Sequence, residues 1–384
     1  MTNLFEAEST TTTSLDLRRL QRKERRATRR KWTLLASAVG LVVFAVGLSV
    51  AWNFGKTAFQ STSTEIADYE GAGQGVVQVV VNPGDTGSDI ANSLYDADVV
   101  ASVQAFIKES NSNPDSGSIV PGYYFMHKEM KASFALQLLL DPDNRDLRTI
   151  TVPEGKTLDF YYQRIAELTE YSLDDVKAAA ENTDALGLPD EADGQLEGWL
   201  FPSTYEFNPG VTPTDVMSKM VQQTIKVLDS ADVEDADRER ILTIASLVER
   251  EAKLDEDRAK IAQVIYNRLD IDMKLQLDST VKYIAPSDGV FTSDADRALD
   301  SPYNTYMFTG LPPAPISGPG AASINAAANP EPSDNLFFVT VDLTSGETAY
   351  AETFEEHSKN VAILRKWVAE TEAEASASPD PSSD

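Results

Sequence analysis

An uncharged apolar segment near the amino terminus constrains this chain more than any other feature. No charged residue occurs from Trp32 to Trp52, and Leu34–Val50 is almost wholly apolar. Such a run has about the length that an α-helix needs to cross the hydrocarbon core of a bilayer. Trp32 and Trp52 stand at its two ends, where indole rings favour the membrane–water interface. We therefore expect a transmembrane helix over residues 32–52.

The charges beside this segment predict its orientation. Residues 1–31 carry nine Lys and Arg and four acidic residues, so the positive-inside rule makes them a cytoplasmic tail and places residues 54–75 outside as a tether. The alternative is a cleaved signal peptide ending near Ser49-Val50-Ala51. The basic region is long and the apolar run exceeds a normal signal core, which favours an uncleaved anchor in the cell membrane. The absence of cysteine excludes a lipoprotein anchor on this chain.

Composition excludes several classes of function. The formal net charge is -28, and so acidic a protein repels nucleic acid rather than binding it. The chain has no cysteine and only two histidines, His127 and His357, far apart in sequence. A thiolate or histidine metal site and a Ser-His-Asp triad are therefore poorly supported. We expect neither a metal nor a cofactor.

Beyond the tether, the pattern of apolar residues predicts an α+β chain in two parts. A small α/β module is expected over residues 76–142, opening with the β-branched strand Val76–Val81. A chain break at Asp141-Pro142-Asp143-Asn144 separates it from a larger mixed region, residues 147–367. Within that region we expect residues 275–330 to be mostly loop, followed by a hairpin and a closing helix, Thr353–Trp367. Residues 369–384 have the composition of a disordered acidic tail.

The most informative side chain of the larger region is Glu197. It lies in the run Leu196–Tyr205, between apolar and aromatic residues that include Trp199 and Phe201. A carboxyl group walled by Trp and Phe would lose hydration, and its pKa would rise toward neutrality. Such a group can serve as a general acid near pH 7. The alternative is an exposed Glu in a loop over an apolar strand.

A second carboxylate, Glu249, lies on the apolar face of a predicted helix. Leu242, Ala245 and Glu249 are spaced by three and four residues, which puts them on one side of that helix. A carboxylate in that position needs a partner, unless its side chain simply reaches out to solvent.

Two further segments combine polar groups with a rigid or aromatic frame. In Leu275–Tyr283 the initial alternation of apolar and polar residues predicts that Gln276 and Asp278 point the same way from an extended segment. In the segment that begins at Ser301, Tyr303 and Asn304 suit stacking on sugar rings and hydrogen bonding to hydroxyl or acetamido groups. Following prolines would hold that loop rigid. Each signal is weak alone, because tyrosines in a Pro-rich loop are more often packing residues.

Taken together, these segments resemble the endolytic murein transglycosylases, the YceG-like family. The resemblance rests on Leu196–Tyr205, Ala245–Glu251, Leu275–Tyr283 and above all the long run Gly310–Pro330. Thr151-Val152-Pro153-Glu154-Gly155 also matches the opening of that family's catalytic region. The similarity covers about residues 76–367, in matching order.

The resemblance implies a fold, a substrate and a catalytic residue. Residues 76–142 would be a LysM-like subdomain and residues 147–367 the catalytic domain. The substrate would be the peptidoglycan glycan strand, cut between N-acetylmuramic acid and N-acetylglucosamine to leave a 1,6-anhydro end. The family's catalytic Glu falls on Glu197, and the protein would work beside the peptidoglycan synthases (penicillin-binding proteins). Substrate-binding or supporting roles are expected of Tyr205, Glu249, Gln276, Asp278, Tyr303 and Asn304.

Two alternatives to a lytic transglycosylase stay open. The first is a hydrolytic muramidase that uses Glu249 or Asp278 as its second carboxylate, as ordinary glycosidases do. Its products would carry reducing ends, which are one water heavier than anhydro ends. The second is a non-catalytic, membrane-tethered peptidoglycan-binding scaffold, in which replacing Glu197 would change nothing.

Overall fold

The computed structural model describes residues 46–50, 66–285 and 292–377, with side chains described to residue 371. Of the predicted transmembrane segment, 32–52, only residues 46–50 lie within this part, and they are helical. The predicted tail, 1–31, and residues 378–384 lie outside it, as does most of the tether. A search of the described helices finds none with the length and apolar character of a membrane span.

The first module is a two-stranded sheet covered by three helices. Strands β1 (Ala72–Val81) and β2 (Gly122–Met130) pair antiparallel, with Val79 opposite Tyr124. The helices are α1 (Gly87–Asp96), α2 (Val103–Ser112) and α3 (Ala132–Leu140). Thr86 begins α1 with a reciprocal capping box to Asp89, and Ser102 caps α2, so both helices start at residues that satisfy free backbone N–H groups. These elements enclose a core of their own.

The second module begins after the short 3₁₀ turn Pro142–Asn144. Strands β3 (Arg148–Thr151) and β4 (Thr204–Phe207) pair antiparallel. Between and after them come α4 (Leu158–Thr169), α5 (Leu173–Ala180), α6 (Thr183–Leu186) and α7 (Pro213–Ser230). A second, larger core lies among these elements.

Helix α8 (Arg238–Glu251) forms the centre of the second module. Every residue from Ile241 to Val248 is buried, so the helix is covered on all sides. Helices α9 (Asp255–Asp270) and α12 (Ala321–Ala328) pack against it. The short helices α10 (Asp278–Ile284) and α11 (Asp294–Arg297) lie in the chain between them.

The chain closes with a hairpin and a long helix. Strands β5 (Phe337–Thr340) and β6 (Thr348–Ala351) pair antiparallel, and α13 (Phe354–Ala377) packs against β5. The α+β class is confirmed: within the described residues the strands form three two-stranded antiparallel sheets, and helices supply the rest of the framework. The closing helix begins one residue after its predicted start, but it continues to Ala377, ten residues beyond its predicted end. Residues 369–377, expected to belong to a disordered tail, are therefore helical.

The described part of residues 275–330 is mostly loop, as expected, and it also contains three short helices, α10, α11 and α12, that were not predicted. One expectation for this region was wrong. The segment expected to be extended instead turns at Gln276, whose φ is +48°, and continues as helix α10 from Asp278. These helices have four to eight residues, too few to show a 3.6-residue repeat.

Candidate active site

Glu197 occupies the second position of a tight turn. The Trp199 N–H donates to the Leu196 carbonyl at 3.1 Å, and Gly198 between them has φ +84°. Only glycine adopts that φ readily at the third position of such a turn. A Cβ on Gly198 would also lie 2.5 Å from the Pro315 Cβ. Buried Leu196, Trp199 and Leu200 anchor the turn in the core, so the backbone that carries Glu197 is held rigidly.

The Glu197 carboxyl group lies at the amino terminus of helix α4. Both of its oxygens lie 3.1 Å from the Leu158 N–H, the first helical donor, and Thr157 offers no side-chain cap there. The Tyr283 hydroxyl donates to Oε2 at 3.4 Å. Glu197 is only 8% exposed. A free N–H group at the start of a helix thus takes the place of the cationic partner that a buried carboxylate usually has.

Burial raises the pKa of Glu197 from its ordinary value of 4.5 to about 7. The Leu158 N–H and the Tyr283 hydroxyl oppose this rise because they stabilise the ionised form, whereas the negative charge of Asp159 adds to it. A carboxyl group with this pKa holds its proton about half the time at pH 7. It can therefore donate a proton and, once ionised, accept one.

The carboxyl group faces a cleft of about 640 Å³, within the range of cavities that hold small ligands. Three tyrosines line it, namely Tyr162, Tyr283 and Tyr303, and the last two pack together with ring centroids 5.1 Å apart. Arg250 and Lys282 contribute positive charge, and Asp159 a carboxylate. Such a cleft offers flat rings for stacking and polar groups for hydrogen bonding.

The aromatic groups around Glu197 differ from those expected. Trp199 is fully buried and donates from Nε1 to the Glu239 carboxylate at 2.8 Å, so it supports the turn from beneath. Tyr205 is also buried, and its hydroxyl donates to the Phe201 carbonyl at 2.8 Å. The loss of hydration expected for Glu197 is present, but the aromatic rings that line the cleft are tyrosines distant in sequence.

The proline-rich run, Leu311–Gly320, ties the walls of the cleft together, and we call it the strap. Its Ile316 N–H donates to the Ser246 hydroxyl of α8 at 3.0 Å. Gly318 exchanges backbone hydrogen bonds of 2.9 Å with the loop before α4, donating to Lys156 and accepting from Gly155. With Pro315 against Gly198, the strap joins the Glu197 turn, α8 and the start of α4.

Glu249 fixes the end of the strap and lies outside the cleft. Its Oε2 accepts from the Gly320 N–H at 3.1 Å and from the Ser323 hydroxyl at 2.7 Å, and Arg258 Nη1 lies 3.1 Å away. The partner expected of a carboxylate on the apolar face of α8 is therefore present. Because three donors already surround Glu249, the geometry supports a positioning role and gives no sign of substrate contact.

The remaining predicted residues divide between cleft, core and a second cavity. Tyr303 lines the cleft with Glu197. Asn304 is fully buried and donates to the carbonyls of Arg297 and Leu299, so it holds a loop and cannot reach substrate from there. Gln276 and Asp278 line a neighbouring cavity. Asp278 accepts from the hydroxyls of Tyr306 and Thr292 at 2.6 and 2.7 Å.

Reasoning from the sequence overlooked several groups that surround Glu197. Tyr283 ends a segment that had attracted attention for Gln276 and Asp278, yet it is the side chain that contacts the carboxyl group. Tyr162 lies one turn into α4, and Arg250 beside Glu249. For the Leu158 N–H the sequence held only the general signal that every helix begins with unpaired N–H groups.

Comparison with known proteins gives a consistent family. The model of the YceG-like family matches residues 79–363. The chain is 34% identical over 302 residues to a Bacillus subtilis protein named endolytic murein transglycosylase, covering 74% of this chain and 83% of that protein. It is 31% identical over 363 residues to a Streptococcus pneumoniae protein of the same name, covering 85% of this chain but 65% of that protein. A YceG-like protein from Listeria monocytogenes, with a 2.6 Å crystal structure, is 29% identical, with a TM-score of 0.49 over 74% of this chain and 98% of that one.

Proposed function

The chain belongs to the YceG-like family, and on that premise we propose that it is an endolytic lytic transglycosylase of peptidoglycan. The observation that carries the proposal is the Glu197 carboxyl group, buried in a tyrosine-lined cleft with a pKa of about 7. The curated relatives are named endolytic murein transglycosylases. One titrating carboxyl group in a cleft is the machinery that this reaction needs.

In the first half of the reaction, protonated Glu197 acts as the acid. Its proton passes to the glycosidic oxygen that joins C1 of N-acetylmuramic acid to N-acetylglucosamine, and the C1–O bond breaks. The N-acetylglucosamine leaves with a free hydroxyl group, and positive charge develops at C1 and the ring oxygen. Glu197, now ionised, is stabilised by the Leu158 N–H and the Tyr283 hydroxyl.

In the second half, ionised Glu197 acts as the base. The C6 hydroxyl of the same muramic acid attacks C1, forms the 1,6-anhydro bond and gives its proton to Glu197. The carboxyl group is restored and no water is consumed. The attacking hydroxyl is tethered to the sugar, so the step gains the rate advantage of an intramolecular reaction.

The surroundings of the other carboxylates favour this route over hydrolysis. Glu249 is bound by the Gly320 N–H of the strap, the Ser323 hydroxyl of α12 and Arg258. Asp278 faces the neighbouring cavity with two hydroxyl partners and Arg297. Neither expected second carboxylate points into the cleft. Asp159 does line it, but its side chain is 79% exposed and paired with Lys177 at 3.5 Å. A hydrolase would need Asp159 to activate water.

A non-catalytic scaffold would gain nothing from the arrangement at Glu197. Ionised Glu197 opposes folding, because burial raises its pKa to about 7. A protein that only bound glycan would be more stable with a neutral side chain in that position. Retention of this group in a cleft is what a reaction site requires.

We further propose the placement that the sequence predicts. Residues 32–52 would anchor the protein in the cell membrane, with residues 1–31 in the cytoplasm and both modules outside, where peptidoglycan lies. The first module, with its own core, would serve as the LysM-like subdomain. Penicillin-binding synthases would be the partners, because nascent strands emerge from them at the same membrane face.

The decisive test is the product spectrum of the full chain on purified sacculi, with Glu197→Gln as the matched variant. Wild-type protein should release fragments with 1,6-anhydro ends, one water lighter in mass spectra than reducing ends, and the variant should release none. Reducing ends from the wild type would establish the hydrolase instead. Undiminished products from Glu197→Gln would remove Glu197 from the mechanism.

A further inference from the structure

A second cavity of about 900 Å³ adjoins the cleft. Arg250, Ser279 and Lys282 line both, so the two share a wall. The second cavity extends from α10 to the hairpin β5–β6 and helix α13. It is larger than the cleft, and none of its lining has a part in the proton transfers of Glu197.

The second cavity is positively charged in an acidic protein. Among the described residues that line it are four cationic side chains, Arg250, Arg268, Lys282 and Arg297, and two carboxylates, Glu251 and Asp278. Asp278 is paired with Arg297 at 3.5 Å. Burial raises the pKa of Glu251, whereas hydrogen bonds from Ser279 and the charge of Arg250 oppose the rise. The whole chain has a formal charge of -28, so this local excess is out of keeping with its composition.

Arg268 is the buried member of these four cations. It is only 7% exposed, and its guanidinium donates to the carbonyls of Leu336 and Leu275. Within the described part of the chain it has no carboxylate within 4.0 Å. Burial lowers the pKa of Arg268, whereas Tyr306 and Glu251 oppose this shift, and the guanidinium lies over the Phe337 ring, 5.1 Å from its centroid.

Apolar side chains also line the cavity. Phe337 and Phe338 from β5, with Val361 and Leu364 from α13, line it. Gln276 also lines it, held in the left-handed region at φ +48°. A non-glycine residue held there is strained, and such strain is common at binding sites. An amphipathic cavity of this kind suits a ligand that carries both aliphatic groups and carboxylates.

We propose that the second cavity binds the carboxylate-bearing peptide attached to the muramic acid that occupies the cleft. This inference rests on the proposed function, because that substrate supplies the peptide. The sugar backbone of the strand is uncharged, so an excess of positive charge would not favour it. The peptide ends in free carboxylates and carries aliphatic side chains, which match the cationic and the apolar residues that line the cavity. It also branches from the sugar, and the cavity shares a wall with the cleft.

The test measures binding without turnover. Full-length protein in detergent, carrying Glu197→Gln, would be titrated with soluble glycan strands and with the same strands stripped of peptide by an amidase. The lactyl carboxylates that the amidase exposes on muramic acid would be converted to primary amides, so that the stripped strands are uncharged. The quantity of interest is the ratio of the two dissociation constants. We expect a preference for peptide-bearing strands, falling as salt rises.

A matched pair of variants locates that preference. Met273 lines the cavity and is half-buried, and Met273→Glu and Met273→Gln have the same size but differ in charge. The preference should fall about tenfold with Glu, as loss of one charge-assisted hydrogen bond would cause, and stay within twofold of its original value with Gln. If either protein does not fold, Leu364→Glu and Leu364→Gln on α13 repeat the comparison.

Two outcomes would overturn the inference. Strands without peptide that bind as tightly as those with peptide would show that the cavity takes glycan or nothing. An equal preference in the Glu and Gln variants would show that its charge has no part in binding. The proposed function is judged separately, by whether the wild type forms anhydro ends, so the failure of one is distinguishable from the failure of the other.

Discussion

Glu197 and Glu249 are two buried glutamates on one scaffold, and their partners give them different roles. Glu197 is 8% exposed, and the side chain of Glu249 is 7% exposed. Glu249 faces Arg258 and two further donors, so its charge is matched within the fold. Glu197 has a helix N–H and a phenol hydroxyl, and burial raises its pKa to about 7. Burial alone therefore does not mark a catalytic carboxylate. Burial also raises the pKa of Glu239 to about 7, but Glu239 is bound by Trp199 Nε1 and does not line the cleft, so position in the cleft is what distinguishes Glu197.

The largest expected effect separates activity from stability at Glu197. Glu197→Gln should reduce the formation of anhydro ends by at least about 10³-fold, because the group acts as acid and then as base. Its raised pKa also means that the native state loses stability as pH rises from 4.5 through about 7. The difference between 4.5 and 7 corresponds to about 3 kcal/mol, so the variant should be more stable than wild type at pH 8, by up to that amount. Product assays check the predicted loss of activity, and thermal unfolding at pH 5 and pH 8 checks the predicted change in stability.

Glu249→Gln should show the reverse pattern. The amide keeps an acceptor for Gly320 or Ser323. Among the described residues, however, it leaves the buried Arg258 with only the exposed Asp255 as an ionic partner. We expect a loss of about 3 kcal/mol in the free energy of unfolding. Once temperature is lowered enough to restore the fold, most activity should return, since Glu249 lies outside the cleft. If activity disappears while stability is unchanged, Glu249 belongs to the reaction and the distinction between the two glutamates is lost.

Tyr283→Phe should have the smallest effect. It removes one hydrogen bond of 3.4 Å that stabilises ionised Glu197, so the pKa of Glu197 should rise further. The rate of anhydro formation should fall several-fold, which corresponds to an increase of about 1 kcal/mol in the activation free energy. The pH above which the rate declines should also be higher than in the wild type. Tyr162→Phe is a suitable control, because Tyr162 lines the same cleft and no hydrogen bond joins it to Glu197 within the described residues. An equal pH shift in both variants would argue against a specific role for Tyr283.

Local sequence patterns predicted the environment of Glu197 and the closing elements of the fold. The run around Glu197 predicted a carboxyl group with little hydration and a raised pKa, and the pattern of apolar residues predicted the closing hairpin and helix. These signals are local: each depends on residues within one or two turns of each other. The family resemblance, carried by Gly310–Pro330, is likewise a continuous string of residues.

The partners of Glu197 could not be predicted, because they come from distant parts of the chain. The Leu158 N–H lies 39 residues before Glu197 and the Tyr283 hydroxyl 86 residues after it. Asn304 looked suitable for binding sugar, but its amide is consumed by two backbone carbonyls. Gln276 and Asp278 were expected together and do line one cavity, although from a strained turn and a helix rather than a strand. Local pattern identified polar groups of interest, and tertiary packing determined which cavity each one lines.

The central claim is that Glu197 must be protonated to begin the reaction and titrates near neutrality. Its most direct test is the pH dependence of kcat/KM for anhydro formation on strands stripped of peptide and converted to amides at the exposed lactyl carboxylates, so that no substrate carboxylate titrates. The account predicts a plateau at pH 5.5–6 and a decline above about 7 that approaches tenfold per pH unit. A rate that stays constant from pH 6 to 8.5, or that already declines above about 4.5, would contradict it.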